Sequence, residues 1–484
     1  MADSISGRGR WLALVVLCLG VLMIVLDSTI VNVALPSIRT DLGFAETSLV
    51  WVVNAYMLTF GGFLLLGGRL GDLFGHRRLF LAGITLFTIA SLACGLARSQ
   101  EWLITARAVQ GLGGAVVNAV SLSLIMTLFT EPAERAKAMG VFGFVCSAGG
   151  SIGVLLGGVL TSALNWHWIF LVNLPIGVIV YVLCVLLLPA THSPPQHRHL
   201  DVGGAVTVTV SLMLAVYAIV NGNEAGWTSG QTLGLLVTSA ALLGAFVWIQ
   251  ARVRAPLMPL RMFRLRNVVT ANVICVLWAA GCFTWFFITA LYLQRVLDYS
   301  PLKVGLAFLP ANLIMGAFSL GLSARLVMRF GLRAPLAIGL LLAAIGLMLF
   351  VRAPVGGTFV TSVLPGMILF GFGAGITFNP LLLAAMNDVA PGESGLASGL
   401  VNTAFMMGGA LGLAILASGA AAHTNAIAST GVTGDEALNG GYHLAFALGA
   451  ACAAVAAIAA TLLREKRLKE DAPGVTRAHE VGTL

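Results

Sequence analysis

One acidic residue of this 484-residue chain stands where a charge is costly. Asp27 lies inside an apolar run from Trp11 to Pro36, whereas 18 of the 19 acidic residues fall in predicted loops, tails or segment ends. Burial favours the neutral form of a carboxylic acid, and a nearby cation favours its ionised form. A carboxylate between these influences can load and release a proton, so Asp27 is a candidate proton-binding group.

Arg107 is the cation that the sequence offers as a partner for Asp27, since it also lies inside a predicted apolar span. At a rise of about 1.5 Å per residue, Asp27 lies roughly 14 Å below Pro36, and Arg107 roughly 8 Å below the start of its span. The two side chains are therefore at comparable depth and could meet. Our functional hypothesis is proton coupling at Asp27, tuned by Arg107; the alternative is a static ion pair.

The composition predicts that membrane helices carry these two residues. Hydrophobic residues make up 58% of the chain and charged residues only 10%, whereas soluble domains carry about 25% charge. This balance excludes a soluble or disordered protein, and the net charge of +8 does not indicate nucleic-acid binding in such a chain. With about 20 apolar residues per crossing, we expect fourteen spans. They are 12–36, 48–68, 79–97, 102–128, 136–161, 166–188, 202–221, 231–250, 268–293, 304–324, 335–351, 358–385, 394–420 and 441–463.

The basic residues predict the orientation of these spans. With the N-terminus inside, 21 of the 27 basic residues lie on the inner side and five on the outer side. Cytoplasmic loops carry such an excess of Lys and Arg. We therefore expect a multi-pass protein of the cell inner or plasma membrane with both termini in the cytoplasm.

Two segments repeat along the chain, which predicts two related halves. Residues 68–78 and 324–334 share Arg, Leu, Phe, Gly and Arg at matching positions. Internal repeats are typical of transporters, with the substrate site between the halves. The expected fold is all-α, with two six-helix halves and two intervening helices. Its parts are an N-terminal half at 1–189, a cytoplasmic linker with two extra helices at 190–266, a C-terminal half at 267–463 and a cytoplasmic tail at 464–484.

The two halves differ in charge. Met328 stands where the first half has Asp72, and Met367 aligns with Arg107. If the chain moves protons, the first half therefore holds that chemistry.

Four segments together resemble the major facilitator superfamily, specifically its fourteen-span drug:proton antiporters. Residues 26–36 look like the first-span signature of that group, 68–78 resembles the superfamily loop motif, and 107–111 resembles the fourth-span motif. Five glycines fit the spacing of the fifth-span antiporter motif. The sequence departs from the family at Val154, where Pro is usual, and at His167, where Arg is common. The antiporter glycines are Gly140, Gly149, Gly153, Gly157 and Gly158.

The resemblance implies alternating access, with a gate at the cytoplasmic loop and a seal along span five. The glycines allow close helix packing, and the sharper hypothesis is a seal between the halves that blocks proton leak. Asp72 could dock at the start of span thirteen, near Glu393, when the inner gate closes; the alternative is a solvated turn. The gating segment comprises Gly68, Arg69, Gly71, Asp72, Gly75, Arg77 and Arg78.

The substrate cavity is expected to be largely apolar with a few polar groups. Span four has a small and polar face that belongs inside the bundle, although helix packing also explains it. Thr59, Trp278, Phe283 and Phe286 are further candidates, but aromatic residues in a span more often pack or face lipid. The principal cavity candidates are Asn54, Tyr56, Gln110, Asn118 and Trp285.

These observations and the resemblance predict a proton-coupled exporter of small lipophilic or cationic compounds such as drugs. The chain has no phosphate-binding loop and no fitting set of metal ligands, so we expect a proton gradient rather than ATP, a cofactor or a metal. The expected partners are a small-molecule substrate, protons and the bilayer, with no nucleic acid, and the oligomeric state stays open. One alternative is a same-fold exporter of an endogenous metabolite or antibiotic. A membrane-embedded enzyme or sensor is a remote alternative, because the spans hold no cluster of acids.

Overall fold

The chain folds into long helices, as the apolar periodicity predicts. The computed structural model describes residues 7–45, 47–129, 131–188, 201–254, 256–318, 322–387, 389, 394–432 and 434–464. Short 3₁₀ or π turns lie at Ser48–Val50, Leu260–Arg264 and Phe359–Val363. The α-helices are α1 Gly7–Leu42, α2 Trp51–Phe74, α3 His76–Gly95, α4 Gln100–Leu128, α5 Pro132–Ala163, α6 Trp168–Leu171, α7 Asn173–Leu187, α8 Val202–Ala225, α9 Gly230–Arg252, α10 Arg266–Arg295, α11 Pro301–Ala317, α12 Ser323–Phe330, α13 Arg333–Phe350, α14 Leu364–Met386, α15 Ser394–Ala428 and α16 Asp435–Ala460.

Twelve helices in the described part of the chain are long and apolar enough to cross a membrane. A helix suits the bilayer because all its backbone hydrogen bonds lie within one segment. Two further expected spans coincide with shorter apolar helices, Ile152–Ala163 within α5 and Pro301–Ala317. The all-α membrane fold is confirmed, and the count of fourteen crossings stays a prediction.

Prolines lie inside two of the segments that the sequence predicts as spans. α1 continues past Pro36 to Leu42, because proline removes only one backbone donor and buried residues such as Ile38 hold the following turn in the core. The expected span 166–188 coincides with the candidate membrane span Trp168–Leu187, in which only Val172 separates α6 from α7. Val172 keeps helical dihedral angles, and Pro175 removes only the donor that would reach the carbonyl of Leu171.

The first seven helices pack mainly on one another, and so do α10 and α13–α16. α11 joins this second group through α14 but packs more extensively on α5. These two groups meet along α5 and α11 and along α2 and α15. Between α5 and α11 the backbones approach so closely that a Cβ on Gly158 would lie 2.6 Å from the carbonyl oxygen of Pro301. Gln294 of α10 also donates from Nε2 to the carbonyl of Val33, at 2.9 Å. These contacts join the two groups at the end of the molecule that the charge distribution predicts to lie outside.

α8 and α9 form a hairpin that packs on the seam between α2 and α15. Ser211 and Ser239 join the two helices, since each hydroxyl donates to the other's carbonyl at 2.8 Å. Asn223 of α8 donates from Nδ2 to the carbonyl and the hydroxyl oxygen of Ser418, at 2.8 and 2.9 Å. On the other side, a Cβ on Gly62 of α2 would meet the hydroxyl of Thr209. α8 therefore contacts one helix from each group.

Candidate functional site

Asp27 and Arg107 form an ion pair in the interior of the first helix group. Arg107 Nη1 lies 2.5 Å from Asp27 Oδ2, and the two side chains are 1% and 0% exposed. Removing two charges from water is expensive, and a buried pair persists only when further hydrogen bonds satisfy its remaining atoms. The other partners of the two groups therefore define the site.

Two amides complete the shell around the carboxylate. Gln110 donates from Nε2 to Asp27 Oδ1 at 2.7 Å, and Asn173 donates from Nδ2 to the same oxygen at 2.9 Å. Asp27 thus accepts three hydrogen bonds, two from side chains of α4 and one from α7. Ser91 of α3 lies behind the amides and accepts from Gln110 Nε2 at 2.8 Å.

The guanidinium of Arg107 is held from several directions. Its Nε donates to the carbonyl of Val52 at 2.9 Å, and its Nη1 also donates to Gln110 Oε1 at 2.7 Å. The ring of Tyr56 lies 4.4 Å from the guanidinium carbon, within range of a cation–π interaction. Arginine suits this position because its planar fork bonds several acceptors and stacks on a ring at once.

Helical spacing and small residues bring this site together. Arg107 and Gln110 are three residues apart on α4 and therefore share a face. A Cβ on Gly111 would lie 2.4 Å from the carbonyl oxygen of Tyr56, so only glycine lets α2 approach α4 this closely. Thr59 fixes the same contact by donating to the carbonyl of Ala108 at 2.8 Å.

The structure distributes the predicted cavity residues among different surroundings. Tyr56 and Gln110 belong to the shell around Asp27 and Arg107. Asn54 of α2 donates to the carbonyl of Ala410 in α15, at 3.0 Å, and so bridges the two helix groups. Asn118 is half-buried on α4. Trp285 lies instead in an aromatic cluster of the second group, where it is fully buried and stacks on Phe370, with ring centroids 4.0 Å apart.

Sequence reasoning missed Ser91 and Asn173. An amide inside an apolar run, two residues before Pro175, was an available signal for Asn173. Ser91 carries no such signal, because a serine in a span commonly bonds its own helix, as Ser91 also does through the carbonyl of Phe87.

The gating segment is mostly helix, contrary to the expectation of a loop. α2 continues to Phe74, and Gly75 alone, at φ +87°, separates it from α3. That positive φ requires glycine. Arg77 donates to the carbonyl of Val185 at 2.6 Å, which ties the start of α3 to α7. The side chains of Arg69 and Asp72, and the proposed latch partner Glu393, lie outside the residues that the structure describes.

The sequence model of the Major Facilitator Superfamily matches residues 17–413. The chain belongs to this superfamily. Members of the superfamily are transporters and not enzymes, and the expected family and the expected absence of enzyme activity are confirmed.

Among its relatives, this transporter is most instructively compared with bacterial resistance and export proteins. It is 39% identical to the puromycin resistance protein pur8 of Streptomyces alboniger, over 95% of this chain and 92% of that protein. It is 40% identical to the cephamycin export protein CmcT of Amycolatopsis lactamdurans, over 84% of each chain. A crystal structure of an auto-inhibited POT family peptide transporter shares the fold, with a TM-score of 0.66 at 16% identity, over 96% of this chain and 99% of that one.

The fifth-span glycines of the transporter lie against α1 on both sides of Asp27. A Cβ on Gly153 would lie 2.9 Å from the carbonyl oxygen of Leu26, and one on Gly157 would lie 2.6 Å from that of Ile30. Gly149 lies against the same helix one turn earlier, and Gly158 faces α11. The surroundings of Gly140 lie outside the described part of the chain.

Val154 stands where the family commonly has proline. Its carbonyl oxygen would lie 2.9 Å from a Cβ on Gly305 of α11, so it takes part in the contact between α5 and α11. α5 therefore packs on the helix that carries Asp27 through one face and on the second helix group through another.

Proposed function

We propose that this transporter is a proton-coupled exporter of small lipophilic or cationic compounds such as drugs, with Asp27 as the proton-coupling site and Arg107 as its partner. The observation that carries the proposal is the buried ion pair between these two side chains. A carboxylate in the membrane interior with a cationic partner can exist ionised and paired, or neutral and released. The resistance and export proteins among its relatives favour export of toxic compounds over uptake.

The proposed cycle alternates between two arrangements of the halves. With Asp27 ionised and bonded to Arg107, the contact of α5 with α11 closes the outer end. When the outer end opens, a proton from outside reaches Asp27 and removes its negative charge, so the attraction between Asp27 of α1 and Arg107 of α4 weakens. A lipophilic cation competes with this proton for the carboxylate, whereas a neutral compound is driven through the change in conformation.

The gate and the orientation are part of the same proposal. Asp72 is proposed to dock at the start of α15 when the cytoplasmic gate closes, because a helix N-terminus favours an anion. The excess of basic residues on one side supports cytoplasmic termini and a plasma-membrane location. The proton gradient supplies the driving force, and no cofactor is required.

A vesicle experiment tests the role of Asp27. Wild type and Asp27→Asn are reconstituted at matched amounts, a pH gradient is imposed, and uphill movement is measured for lipophilic cations, neutral drugs and organic anions. Asp27→Asn should abolish gradient-driven movement and retain downhill exchange. Asp41→Asn is the matched control, because Asp41 lies at the outer end of the same helix, where it accepts a hydrogen bond from Trp166 Nε1 at 2.9 Å. Full gradient-driven transport by Asp27→Asn contradicts the proposal.

A second candidate is export of one endogenous metabolite or antibiotic by the same mechanism. The cephamycin export protein among its relatives favours this candidate. The vesicle experiment with lipophilic cations, neutral drugs and organic anions separates these two candidates. A dedicated exporter transports a single chemical class, and a multidrug exporter transports several.

A further inference from the structure

Asn173 differs from the other partners of Asp27 in having an unused acceptor. Its Nδ2 donates to Asp27 Oδ1, and the side chain is 1% exposed. Its Oδ1 has no hydrogen-bond partner among the residues that the structure describes. A buried acceptor without a donor is destabilising, and such an atom in a native site calls for an explanation.

The two amides on Asp27 Oδ1 are constrained differently. Gln110 is fixed at both ends, because its Oε1 accepts from Arg107 and its Nε2 donates to both Asp27 and Ser91. If that amide turned by half a rotation, its N–H group would point at the N–H group of Arg107, and two donors would face each other. The amide of Asn173 is held only at its nitrogen, by Asp27 at 2.9 Å and by Ser91 at 3.4 Å. Exchanging the oxygen and nitrogen of Asn173 therefore breaks the two bonds of its nitrogen and none of its oxygen.

Asn173 lies where α6 passes into α7. It is the first residue of α7, and Val172 separates it from α6. α7 packs against α3 and α1, so a change at its first residue bears on the two helices that carry Ser91 and Asp27. Besides Arg107, the titratable side chains placed near Asp27 are Tyr56 of α2 and Cys94 of α3.

We propose that Asn173 changes from hydrogen-bond donor to acceptor when Asp27 is protonated. The proton binds Asp27 Oδ1, because Oδ2 is paired with the cation Arg107, whereas Oδ1 faces two neutral amides. The side-chain amide of Asn173 then turns by half a rotation, its N–H bonds to Asp27 and Ser91 are lost, and the new O–H of Asp27 donates to Asn173 Oδ1. When the proton leaves, the amide turns back. Asn173 is thus a positioning residue that gives each protonation state of Asp27 a matching partner, and this inference rests on the proposed role of Asp27.

Infrared difference spectroscopy tests the change of partner. Spectra of the reconstituted full-length protein are recorded between alkaline and acidic buffer, and the carbonyl stretch of the protonated carboxylic acid is followed. Wild type should show an acid band that Asp27→Asn loses. Asn173→Leu, similar in size but apolar, should retain the band at higher wavenumber, because the O–H has lost its acceptor. Asn223→Leu, the matched control, makes the same substitution at an asparagine of α8 that bonds Ser418 of α15 and should leave the band in place.

A second measurement avoids substitution at Asn173. In protein labelled with ¹³C at the asparagine side-chain carbonyl, acidification should move one amide carbonyl band to lower wavenumber, and Asp27→Asn should abolish that shift. If Asn173→Leu fails to fold, Asn173→Ala gives the same comparison.

The outcomes separate this inference from the proposed function. An acid band that Asp27→Asn removes but Asn173→Leu leaves in place, with no shift in the labelled amide, overturns the inference and retains Asp27 as the proton site. If Asp27→Asn leaves the acid band unchanged, the proposed function fails, and the inference fails with it.

Discussion

The ion pair between Asp27 and Arg107 predicts that removing both charges costs no more unfolding free energy than removing one. Arg107→Met deletes hydrogen bonds to Asp27, Gln110 and the carbonyl of Val52 and leaves a buried carboxylate without its cation. Asp27→Asn leaves the guanidinium without its anion. Breaking a buried pair from one side costs about 3–5 kcal/mol, because the remaining charge is desolvated and uncompensated.

The double variant gives the magnitude of the coupling. If the two substitutions acted independently, Asp27→Asn with Arg107→Met would lose at least about 6 kcal/mol of unfolding free energy. Because the second substitution removes the charge that the first one left unpaired, we expect a loss closer to about 3 kcal/mol. The coupling energy is then about 3 kcal/mol, at the upper end of the range for residues in direct contact.

Denaturant unfolding of the purified protein in mixed micelles measures this cycle. The four proteins are compared at neutral pH, and Arg107→Met is also measured at acidic pH. The loss of unfolding free energy in Arg107→Met, relative to wild type, should become smaller on acidification, because protonation neutralises the unpaired Asp27. Additive losses in the double variant, or a deficit of Arg107→Met that does not change with pH, would refute the description of the pair as two mutually compensating buried charges.

Three further predictions concern helix packing and the gate. Gly157→Val should prevent correct assembly, because its Cβ would lie 2.6 Å from the carbonyl oxygen of Ile30. The amount of protein in the membrane measures this effect. Gly150→Ala is the control and should behave as wild type, because nothing lies within 4 Å of the added atom. Asn223→Leu removes two hydrogen bonds to Ser418 and should lower the unfolding free energy by about 1–3 kcal/mol; an unchanged denaturation midpoint would mean that α8 is not held to α15 by these bonds. Asp72→Lys should slow transport at normal expression, and wild-type exchange rates in this variant would exclude the latch.

Local chemistry made much of the fold and part of the site predictable. The helices follow from runs of apolar residues, because the bilayer leaves a spanning segment little choice but a helix. Asp27 was identifiable for the same reason, since a single carboxylate in such a run carries a cost that only function or a partner explains. Its pairing with Arg107 was predictable from depth alone, which the rise of a helix gives directly from residue numbers.

The rest of the site depended on helix rotations that no local pattern specifies. The span 166–188 was predictable, but the rotation of α7 sets whether Asn173 faces Asp27. Trp285 was expected in the cavity but lies in an aromatic cluster of the second helix group, because the choice between packing and lining depends on the rotation of α10.

The sequence by itself determined the membrane helices, their expected orientation and the identity of the unusual carboxylate, because hydropathy and charge act residue by residue. The tertiary structure decided what surrounds that carboxylate. Gln110, Asn173 and Ser91 come from three helices, and their meeting at Asp27 depends on how those helices rotate and approach. Hydrogen bonds are directional and short, so the chemistry of the site is set by an arrangement of helices and not by any one of them.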